Sequence, residues 1–335
     1  MLSSRAVRLA RRPQGLPQDD DFRLTVDEVP EPAPGQVMVR VDLISLDPAM
    51  RGWLDDRPSY LPPIAIDEVI RAGGVGEVVA SAHPRFPVGT VVMGTLGVQE
   101  FAVVDATGLT RVDPALGSPT MYLGVLGLTG MTAYFGLFEH GRPRAGDTVL
   151  VSAAAGAVGS ITGQLARIAG CRVVGVAGGP EKCAYVTEVL GFDACIDYRS
   201  PGLRRAVRDA CPDGIDVYFD NVGGPVLEAA LANLAMHARV VICGAISQYN
   251  AEEIPAGPAN YMALLVRRAT MAGFLVFDHA ADYRVARTRL SRWVANGDLV
   301  APDTVVTGSV EDFTSVFLRL FSGDNIGKLI LDISH

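Results

Sequence analysis

The segment Val149-Leu-Val-Ser-Ala-Ala-Ala-Gly-Ala-Val-Gly-Ser160 joins a short apolar run to an apolar helical pattern through a turn of small residues. Gly156 and Gly159 lack a Cβ, so the backbone can turn tightly and a pyrophosphate can approach the start of the helix. The helix dipole favours an anion there. A second strand-like run, residues 171–176, follows at the distance expected for one βαβ unit. The segment therefore predicts a dinucleotide site, with Ala153 standing where the common fingerprint has its first glycine.

Strand-like and helix-like patterns alternate along the chain from about residue 121. The predicted strands are residues 148–152, 172–176, 194–197, 217–221 and 239–243. The predicted helices are residues 158–169, 181–190, 202–211 and 226–234. Such alternation predicts an α/β fold with a doubly wound parallel sheet.

The first 120 residues follow a different rhythm, with short β-branched runs separated by proline and glycine turns. This pattern predicts a small antiparallel, barrel-like domain that begins with a strand at residues 6–10. The tail, residues 323–332, returns to strand character and is expected to rejoin that domain. The predicted division is therefore residues 1–120 with 305–335 in one domain and residues 121–304 in the other.

Composition narrows the possible functions. The chain has 335 residues, of which 49% are hydrophobic and 20% charged, as in globular proteins. A formal net charge of −8 argues against binding to nucleic acid. No apolar run is long enough for a bilayer, and none follows the N-terminal arginines as in a secretory signal. The arginines leave a transit peptide open, although an N-terminal strand is favoured.

Metal and redox chemistry are constrained by the cysteines and histidines. No two cysteines form a C-x-x-C pair, and their odd number argues against a disulfide framework, so a reduced cytoplasmic location is expected. The first 120 residues contain no cysteine and a single histidine, His83, whereas catalytic zinc needs about three protein ligands. No metal is therefore predicted, and His140 and His237 are interpreted as surface or helix-end residues.

The end of the second strand indicates which dinucleotide is bound. NAD-binding chains place an acidic residue there to hold the ribose 2′-hydroxyl. This chain has Ala177-Gly178-Gly179 instead, with Lys182 close behind. A neutral turn beside a lysine suits a 2′-phosphate and predicts NADPH. Glu181 leaves two alternatives open: contact with the ribose, or an ordinary solvated helical turn.

Five motifs occur in order along nearly the whole chain. They are Leu46-Asp-Pro-Ala-Met-Arg-Gly52, Ala153-Ala-Ala-Gly-Ala-Val-Gly159, Tyr218-Phe-Asp-Asn-Val-Gly-Gly224, Cys243-Gly-Ala-Ile-Ser-Gln-Tyr-Asn250 and Gly323-Asp-Asn-Ile-Gly-Lys328. Together they resemble the zinc-independent medium-chain reductases of the prostaglandin reductase and alkenal double-bond reductase family. The resemblance implies a GroES-like β-barrel-type domain, a Rossmann NADP-binding domain and a homodimer.

The resemblance also implies roles for individual residues. The pyrophosphate would be bound by Gly156, Ala157, Val158 and Gly159, and the 2′-phosphate by Lys182 and Tyr198. The rest of the cofactor groove would be lined by Asn221, Cys243, Gly244, Ala245, Ile246, Ser247 and Tyr249. Beside the nicotinamide would lie Phe274, Leu275 and Val276, with Asn325 on its carboxamide. Turn chemistry for both asparagines, and a half-buried strand end for Tyr198, stay open as alternatives.

The chemistry implied by the family is transfer of hydride from NADPH to the β-carbon of a small α,β-unsaturated ketone or aldehyde. Tyr249 is the candidate donor to the carbonyl oxygen, because a neutral phenol donates a hydrogen bond at neutral pH. A purely cofactor-packing role for Tyr249 is the alternative. Many relatives carry an aromatic residue where this chain has Ala49, a predicted position of the substrate pocket. Tyr60 and Tyr261 are candidate replacement walls of that pocket, and an ordinary core or loop position is the alternative for each. A quinone oxidoreductase and a non-catalytic NADPH-binding protein remain alternative functions.

Overall fold

The computed structural model describes residues 2–253 and 255–334. They fall into two compact units, Met1–Leu123 with Asp303–His335, and Gly124–Pro302. No helix among these described residues is long and apolar enough to cross a membrane.

The regular elements in the N-terminal part of the first unit are mostly strands. Its elements are β1 (Ser3–Leu9), β2 (Phe22–Glu28), β3 (Gln36–Leu46), α1 (Met50–Trp53), β4 (Gly73–Ser81), β5 (Val91–Thr95), β6 (Phe101–Asp105) and β7 (Thr110–Arg111). Strands β1 and β2 form an antiparallel pair, and β3 lies antiparallel to both β4 and β6. The long strand β3 is therefore the centre of this unit, and the first motif follows directly after it.

The second unit alternates strands and helices. Its elements are α2 (Leu128–Phe135), β8 (Thr148–Ser152), α3 (Ala157–Ile168), β9 (Arg172–Ala177), α4 (Pro180–Ala184), β10 (Ala194–Asp197), α5 (Leu203–Ala210), β11 (Ile215–Asp220), α6 (Gly224–Leu231), β12 (Leu234–Ile242), α7 (Ala263–Arg267), β13 (Thr270–Gly273) and α8 (Tyr283–Ala295). The strand order is β10-β9-β8-β11-β12-β13, and every pair is parallel. The predicted doubly wound parallel sheet is confirmed.

The order of strands reverses direction between β8 and β11. In sheets of this kind, ligands bind beyond the carboxyl ends of the strands at such a switch point. All five residues of β8 are buried, as expected for a central strand covered on both faces. The sequence motifs that follow β8, β9, β11 and β12 therefore all begin at one edge of this sheet.

Helices of the second unit differ from the predicted helices in two places. The helix predicted at 181–190 is α4 followed by one π-helical turn, Tyr185–Val189. The helix predicted at 226–234 ends at Leu231, and Leu234 already begins β12. The Asn233 side-chain amide donates to the Ala229 carbonyl over 2.8 Å, and the Asn233 carbonyl accepts from Ile215 N. These bonds end the helix and bring its last residues to the sheet.

The remaining elements return to the first unit. They are β14 (Asp303–Thr307), α9 (Phe313–Ser322) and β15 (Lys328–Asp332). Strand β15 lies parallel to β14 and antiparallel to β3, which completes a sheet in the order β14-β15-β3-β4-β5-β7. Phe313 and Phe317 of α9 stack at 5.3 Å within the core of this unit. The loop that carries Asn325 therefore leads directly into β15, the strand next to β3.

Candidate cofactor and active site

The turn between β8 and α3 is tightly closed. Ala153 has a φ of 50°, the left-handed region in which the common fingerprint has a glycine. Its carbonyl accepts a hydrogen bond from Gly156 N over 2.9 Å. A Cβ on Gly159 would lie 2.3 Å from the same carbonyl oxygen. Helix α3 can therefore pack this closely on the turn only with glycine at position 159.

The N-terminus of α3 is suited to an anion. Its first turn contains no acidic side chain, and the N-cap residue Gly156 makes no side-chain capping bond. The first N–H groups of a helix have no partner within the helix, and the dipole adds a partial positive charge there. The residues predicted to bind pyrophosphate, 156–159, form this end of the helix, so the cradle fits a dinucleotide diphosphate.

A second part of the site surrounds the turn after β9. The Tyr198 ring lies against Gly178, where an added Cβ would be 2.9 Å from the ring. Asp197 Oδ1 accepts hydrogen bonds from Gly179 N and Arg199 N, at 2.8 and 3.0 Å. These two bonds, Gly179 first, lower the pKa of Asp197. The carboxylate is therefore used to fix the turn and does not stand at the end of β9 as a ribose ligand would.

Two basic side chains lie at the same turn, together with the acidic Glu181 in the first turn of α4. Lys182 lies in α4, whose N-cap is Gly179. The Arg199 guanidinium carbon is 6.0 Å from the centre of the Tyr198 ring, and its Nη1 would be 3.6 Å from a Cβ on Gly179. A lysine and an arginine beside a neutral turn fit a 2′-phosphate better than a ribose hydroxyl. Arg199 is a candidate ligand that the sequence analysis missed.

A buried carboxylate connects the carboxyl ends of β8 and β11. Asp220 is 1% exposed, and its Oδ1 accepts from the Tyr218 hydroxyl at 2.7 Å and from the amides of Val222 and Gly223 at 2.9 Å each. The Ser152 hydroxyl also donates to this oxygen, over 3.1 Å. Burial, followed by the charge of Asp220, raises the pKa of Tyr218. The network holds the ends of both strands and the start of α6 in one arrangement.

Asn221 continues this network. Its side-chain amide donates to the Ser152 carbonyl at 2.8 Å, and its backbone N–H donates to the Ser152 hydroxyl at 2.8 Å. The Asn221 side chain thus ties β11 to the residue just before the glycine-rich turn. Its role as a cofactor ligand stays a prediction.

The loop after β12 is hydrogen-bonded to the end of β11 and to the residues that follow it. The amides of Cys243 and Gly244 donate to the Asp220 carbonyl at 2.9 and 3.1 Å. The Ser247 hydroxyl donates to the Val222 carbonyl at 2.6 Å. Burial, then the Asp220 charge, raises the pKa of Cys243 to about 12, so its thiol is protonated at neutral pH. This segment, with Ile246 at the start of a 3₁₀ turn, is held at the carboxyl edge of the sheet.

Tyr249 folds back over its own loop. Its hydroxyl accepts a hydrogen bond from Ala245 N over 3.2 Å. A Cβ on Gly244 would lie 2.8 Å from that hydroxyl, so the loop needs glycine at this position. A phenol oxygen can accept from an amide while the phenol stays neutral and keeps its own proton. The arrangement is compatible with the predicted donor role, which stays a prediction.

Beyond β13, Phe274 belongs to an aromatic cluster. It lies against Gly136, where a Cβ would be 2.5 Å from its ring, and 6.4 Å from Phe219 between ring centres. His140 stacks on Phe274 at 4.9 Å. Burial, then the neighbouring His279, lowers the pKa of His140. Of the next two predicted residues, Leu275 is 37% exposed and Val276 is buried.

Predicted substrate and carboxamide residues of the first unit lie in loops. Ala49 is the N-cap of α1, and Tyr60 is 46% exposed in the loop that follows α1. The Asn325 side-chain amide donates to the Gly327 carbonyl at 3.0 Å. In the second unit, Tyr261 is 59% exposed just before α7. The roles of all four residues stay predictions.

A buried ion pair joins two of the sequence motifs within the first unit. The Lys328 side chain is 2% exposed, and its Nζ lies 2.8 Å from Asp47 Oδ1. It also donates to the Leu46 carbonyl. Asp47 accepts a further bond from the Ser45 hydroxyl at 2.6 Å. The pair fixes the start of β15 to the end of β3, and with it the two loops that carry Ala49 and Asn325.

Among the described residues, no group of three or more histidine, cysteine, aspartate or glutamate side chains is arranged to hold a metal ion. All five cysteines are unpaired. Sequence reasoning missed Arg199 and Asp220, although both lie within or beside motifs. Arg199 follows Tyr198 directly, and its position next to a predicted phosphate ligand was the available signal.

Two family models match the chain. Residues 5–112 match the family described as the N-terminal domain of oxidoreductase. Residues 157–292 match the family described as zinc-binding dehydrogenase. These two matches cover parts of both structural units.

Individual proteins match over the whole length. The NADPH-dependent curcumin reductase of Escherichia coli (strain K12) is 40% identical over 97% of this chain and 96% of its own length. The NADP(+)-dependent 2-alkenal reductase of Nicotiana tabacum is 37% identical over 100% of this chain and 98% of its own. The crystal structure of CurA in complex with NADPH from Vibrio vulnificus is 40% identical, with a TM-score of 0.93 and 99% of each chain covered.

Proposed function

Because this chain belongs to the zinc-independent medium-chain dehydrogenase/reductase family, we propose that it reduces the carbon–carbon double bond of small or medium α,β-unsaturated ketones and aldehydes. It is an NADPH-dependent oxidoreductase, and its relatives reduce carbon–carbon double bonds. The family and the cofactor predicted from the sequence are confirmed. The substrate class of this chain and the roles of its residues are the proposal.

The second unit is proposed to hold the cofactor and the first unit to carry the substrate loops. Residues 156–159 would bind the pyrophosphate through the first turn of α3, which carries no acidic side chain. Lys182, Tyr198 and Arg199 would bind the 2′-phosphate. Asn325 and residues 274–276 would contact the nicotinamide. When bound, NADPH supplies the hydride, which in this proposal goes to the β-carbon.

The chain's own contribution to the reaction is to orient the enone and stabilise negative charge on its oxygen. Tyr249 is proposed to donate its hydroxyl proton in a hydrogen bond to that oxygen. The bond from Ala245 N to the phenol oxygen supports this role, because a hydroxyl that accepts a hydrogen bond becomes a stronger donor. Donors already in place when charge develops need no reorganisation during the reaction.

The observation that carries the proposal is the loop of residues 243–250. It is anchored on Asp220 and sets the Tyr249 hydroxyl at the carboxyl edge of the parallel sheet, the edge at which ligands bind in such sheets. The loop lies in the same unit as the glycine-rich turn, so a hydroxyl donor accompanies the predicted cofactor cradle.

The test is the oxidation of NADPH and NADH, followed by absorbance, with four acceptors: an alkenal, an enone, a quinone and a saturated aldehyde. We expect NADPH-dependent turnover of the alkenal or the enone and none of the saturated aldehyde. Turnover of the quinone well above that of the enone would replace the proposal with a quinone oxidoreductase. NADPH binding without oxidation by any acceptor would identify a non-catalytic NADPH-binding protein.

A homodimer and a cytoplasmic location are part of this proposal. Strand β13 is fully exposed and is paired in the described chain with β12 alone. Exposed apolar side chains lie on and near it, namely Tyr261, Leu265, Val266, Met271 and Phe277. An open strand edge beside apolar surface favours pairing with a second copy about a twofold axis. Light scattering should give a molar mass of twice the chain mass, and Met271→Asp should lower the measured mass towards that of a single chain.

A further inference from the structure

A cleft of the first unit lies between the turn at residues 83–86 and strand β7. It has a volume of about 320 Å³ and is lined by Arg85, Phe86, Leu109, Thr110 and Arg111. This volume is at the lower end of the range for small-molecule pockets. The cleft shares no residue with the candidate cofactor and active site, so its chemistry has to be considered by itself.

Hydrogen bonds hold the two walls of the cleft together. Arg111 Nη2 donates to the Arg85 carbonyl at 2.9 Å, which ties β7 to the turn. Within the turn, Arg85 N donates to His83 Nδ1 at 3.2 Å, and Phe86 N donates to the His83 carbonyl at 3.3 Å. Strand β7 is itself paired with β5. The cleft is therefore formed by the hydrogen-bonded chain before any ligand binds, which lowers the entropy cost of binding.

Both arginine side chains of the cleft are exposed and carry uncompensated charge. Within residues 2–253 and 255–334, neither guanidinium forms an ion pair with an acidic side chain. The Arg85 guanidinium carbon is 5.5 Å from the centre of the Phe86 ring, and the Arg111 guanidinium is bound to a backbone carbonyl. Neither contact removes the positive charge, so two cations line one cleft.

Several other arginines of the same unit are paired with carboxylates. Arg5, Arg8 and Arg40 have carboxylate oxygens at 2.6, 2.8 and 2.9 Å. The acidic residue closest to β7 in the sequence, Asp113, accepts a hydrogen bond from Ala115 N at 3.0 Å. The whole chain has a formal net charge of −8. Two arginines without acidic partners at one cleft of such a chain indicate a place for an anion.

We propose that this cleft binds the phosphate group of a small phosphomonoester, with the guanidinium groups of Arg85 and Arg111 as its ligands. Guanidinium N–H groups match phosphate oxygens in paired hydrogen bonds. A phosphomonoester carries a charge of about −1.5 to −2 at neutral pH and three acceptor oxygens, which suits two cations better than the single charge of a carboxylate. Phe86 and Leu109, 2% and 8% exposed, offer apolar contact to the organic part of the ester. The proposal does not rest on the proposed reductase function.

The experiment titrates the full-length protein with phenyl phosphate and with inorganic phosphate, and follows the phosphorus NMR relaxation rate of each compound. NADPH is present at saturating concentration, so that neither compound can bind in its place. We expect a Kd for phenyl phosphate on the order of 1 mM at low salt, because exposed charges are screened by water and ions. Inorganic phosphate should bind more weakly, since it lacks the ring that would contact Phe86 and Leu109. Equal affinities would overturn the assignment of an ester and identify the free ion as the ligand.

Arg85→Gln and Arg111→Gln should each raise the Kd for phenyl phosphate about fivefold or more, because one of two charged ligands is lost. Arg319→Gln is the matched control, since Arg319 is another exposed arginine of the first unit but does not line the cleft. It should leave the Kd unchanged.

Two results would overturn the proposal. One is the absence of binding by the unaltered protein at about 10 mM phenyl phosphate, roughly ten times the expected Kd; this result needs no variant. The other is an equal effect of all three substitutions, which would mean that the anion responds to the general charge of the surface and not to this cleft. Both readouts measure binding, so a failed reductase assay would not affect them.

Discussion

Replacing Lys328 with methionine should destabilise the first unit by about 3 kcal/mol. The substitution keeps the apolar stem and removes the ammonium, which is 2% exposed and lies 2.8 Å from Asp47. Breaking a buried ion pair costs about 3–5 kcal/mol, because the remaining charge stays buried without its partner. Asp47 is 21% exposed, so water reaches it and the lower end of that range applies.

The assay follows urea unfolding by tryptophan fluorescence. The chain has two tryptophans, Trp53 in the first unit and Trp293 in the second, so a Trp293→Phe background reports on the first unit alone. A loss of about 3 kcal/mol corresponds to a midpoint lower by about 1–3 M urea. Lys328→Met combined with Asp47→Asn should lose less than Lys328→Met alone, because no charge is then left unpaired. A change below about 0.5 kcal/mol in Lys328→Met would refute the reasoning.

Further predictions concern the site itself. Tyr249→Phe should lower kcat about 100-fold with little change in NADPH affinity; an unchanged kcat would remove its donor role. Arg199→Ala should raise the Kd for NADPH, measured by fluorescence, about tenfold and leave the Kd for NADH unchanged. The control Arg205→Ala removes a side chain of α5 that is 81% exposed and should change neither Kd. Gly159→Ala should cost about 1–3 kcal/mol in thermal unfolding because its Cβ would meet the Ala153 carbonyl, while Gly257→Ala, with open space around it, should not. Alkylation of Cys243, whose pKa is about 12, should be slow at pH 8, because only about 10⁻⁴ of the thiol is thiolate at that pH. The alkylation rate should then rise about tenfold per pH unit up to about pH 11. Labelling of Cys243 at the rate of an ordinary thiol would contradict this prediction.

The sequence was most informative where local patterns are strong. The strand predicted at 148–152 is Thr148–Ser152 in the structure, and α3 begins one residue before its predicted start. An apolar run, a small-residue turn and an apolar helical stripe specify this unit locally. Strand β13 carried no such signal, because four exposed residues, Thr270–Gly273, show no alternation between buried and exposed faces.

Contacts between distant residues could not be predicted. The sequence predicts His140 to be a surface or helix-end residue, and it does lie in the last turn of the segment Gly136–Gly141. Its contact with His279 is not predicted, because no spacing rule links positions 139 residues apart. The π-helical turn Tyr185–Val189 has the same apolar spacing as an α-helix, so the sequence predicts an α-helix there. Asp220 stood inside a motif, but its importance lies in bonds to Ser152, Tyr218 and the amides after β11, which only the folded chain brings together.

The burial of Lys328 has a practical consequence for covalent labelling. Lysine occurs at two positions in the chain, 182 and 328, while all other basic side chains except histidine are arginine. Acylating reagents need an accessible, unprotonated amine, and the Lys328 ammonium is enclosed and ion-paired. Reagents of this kind are thus directed to Lys182 and the α-amino group. Succinimidyl-ester dyes or resins would modify the protein beside its proposed 2′-phosphate site, and protection by NADPH would show how much of that site is occupied.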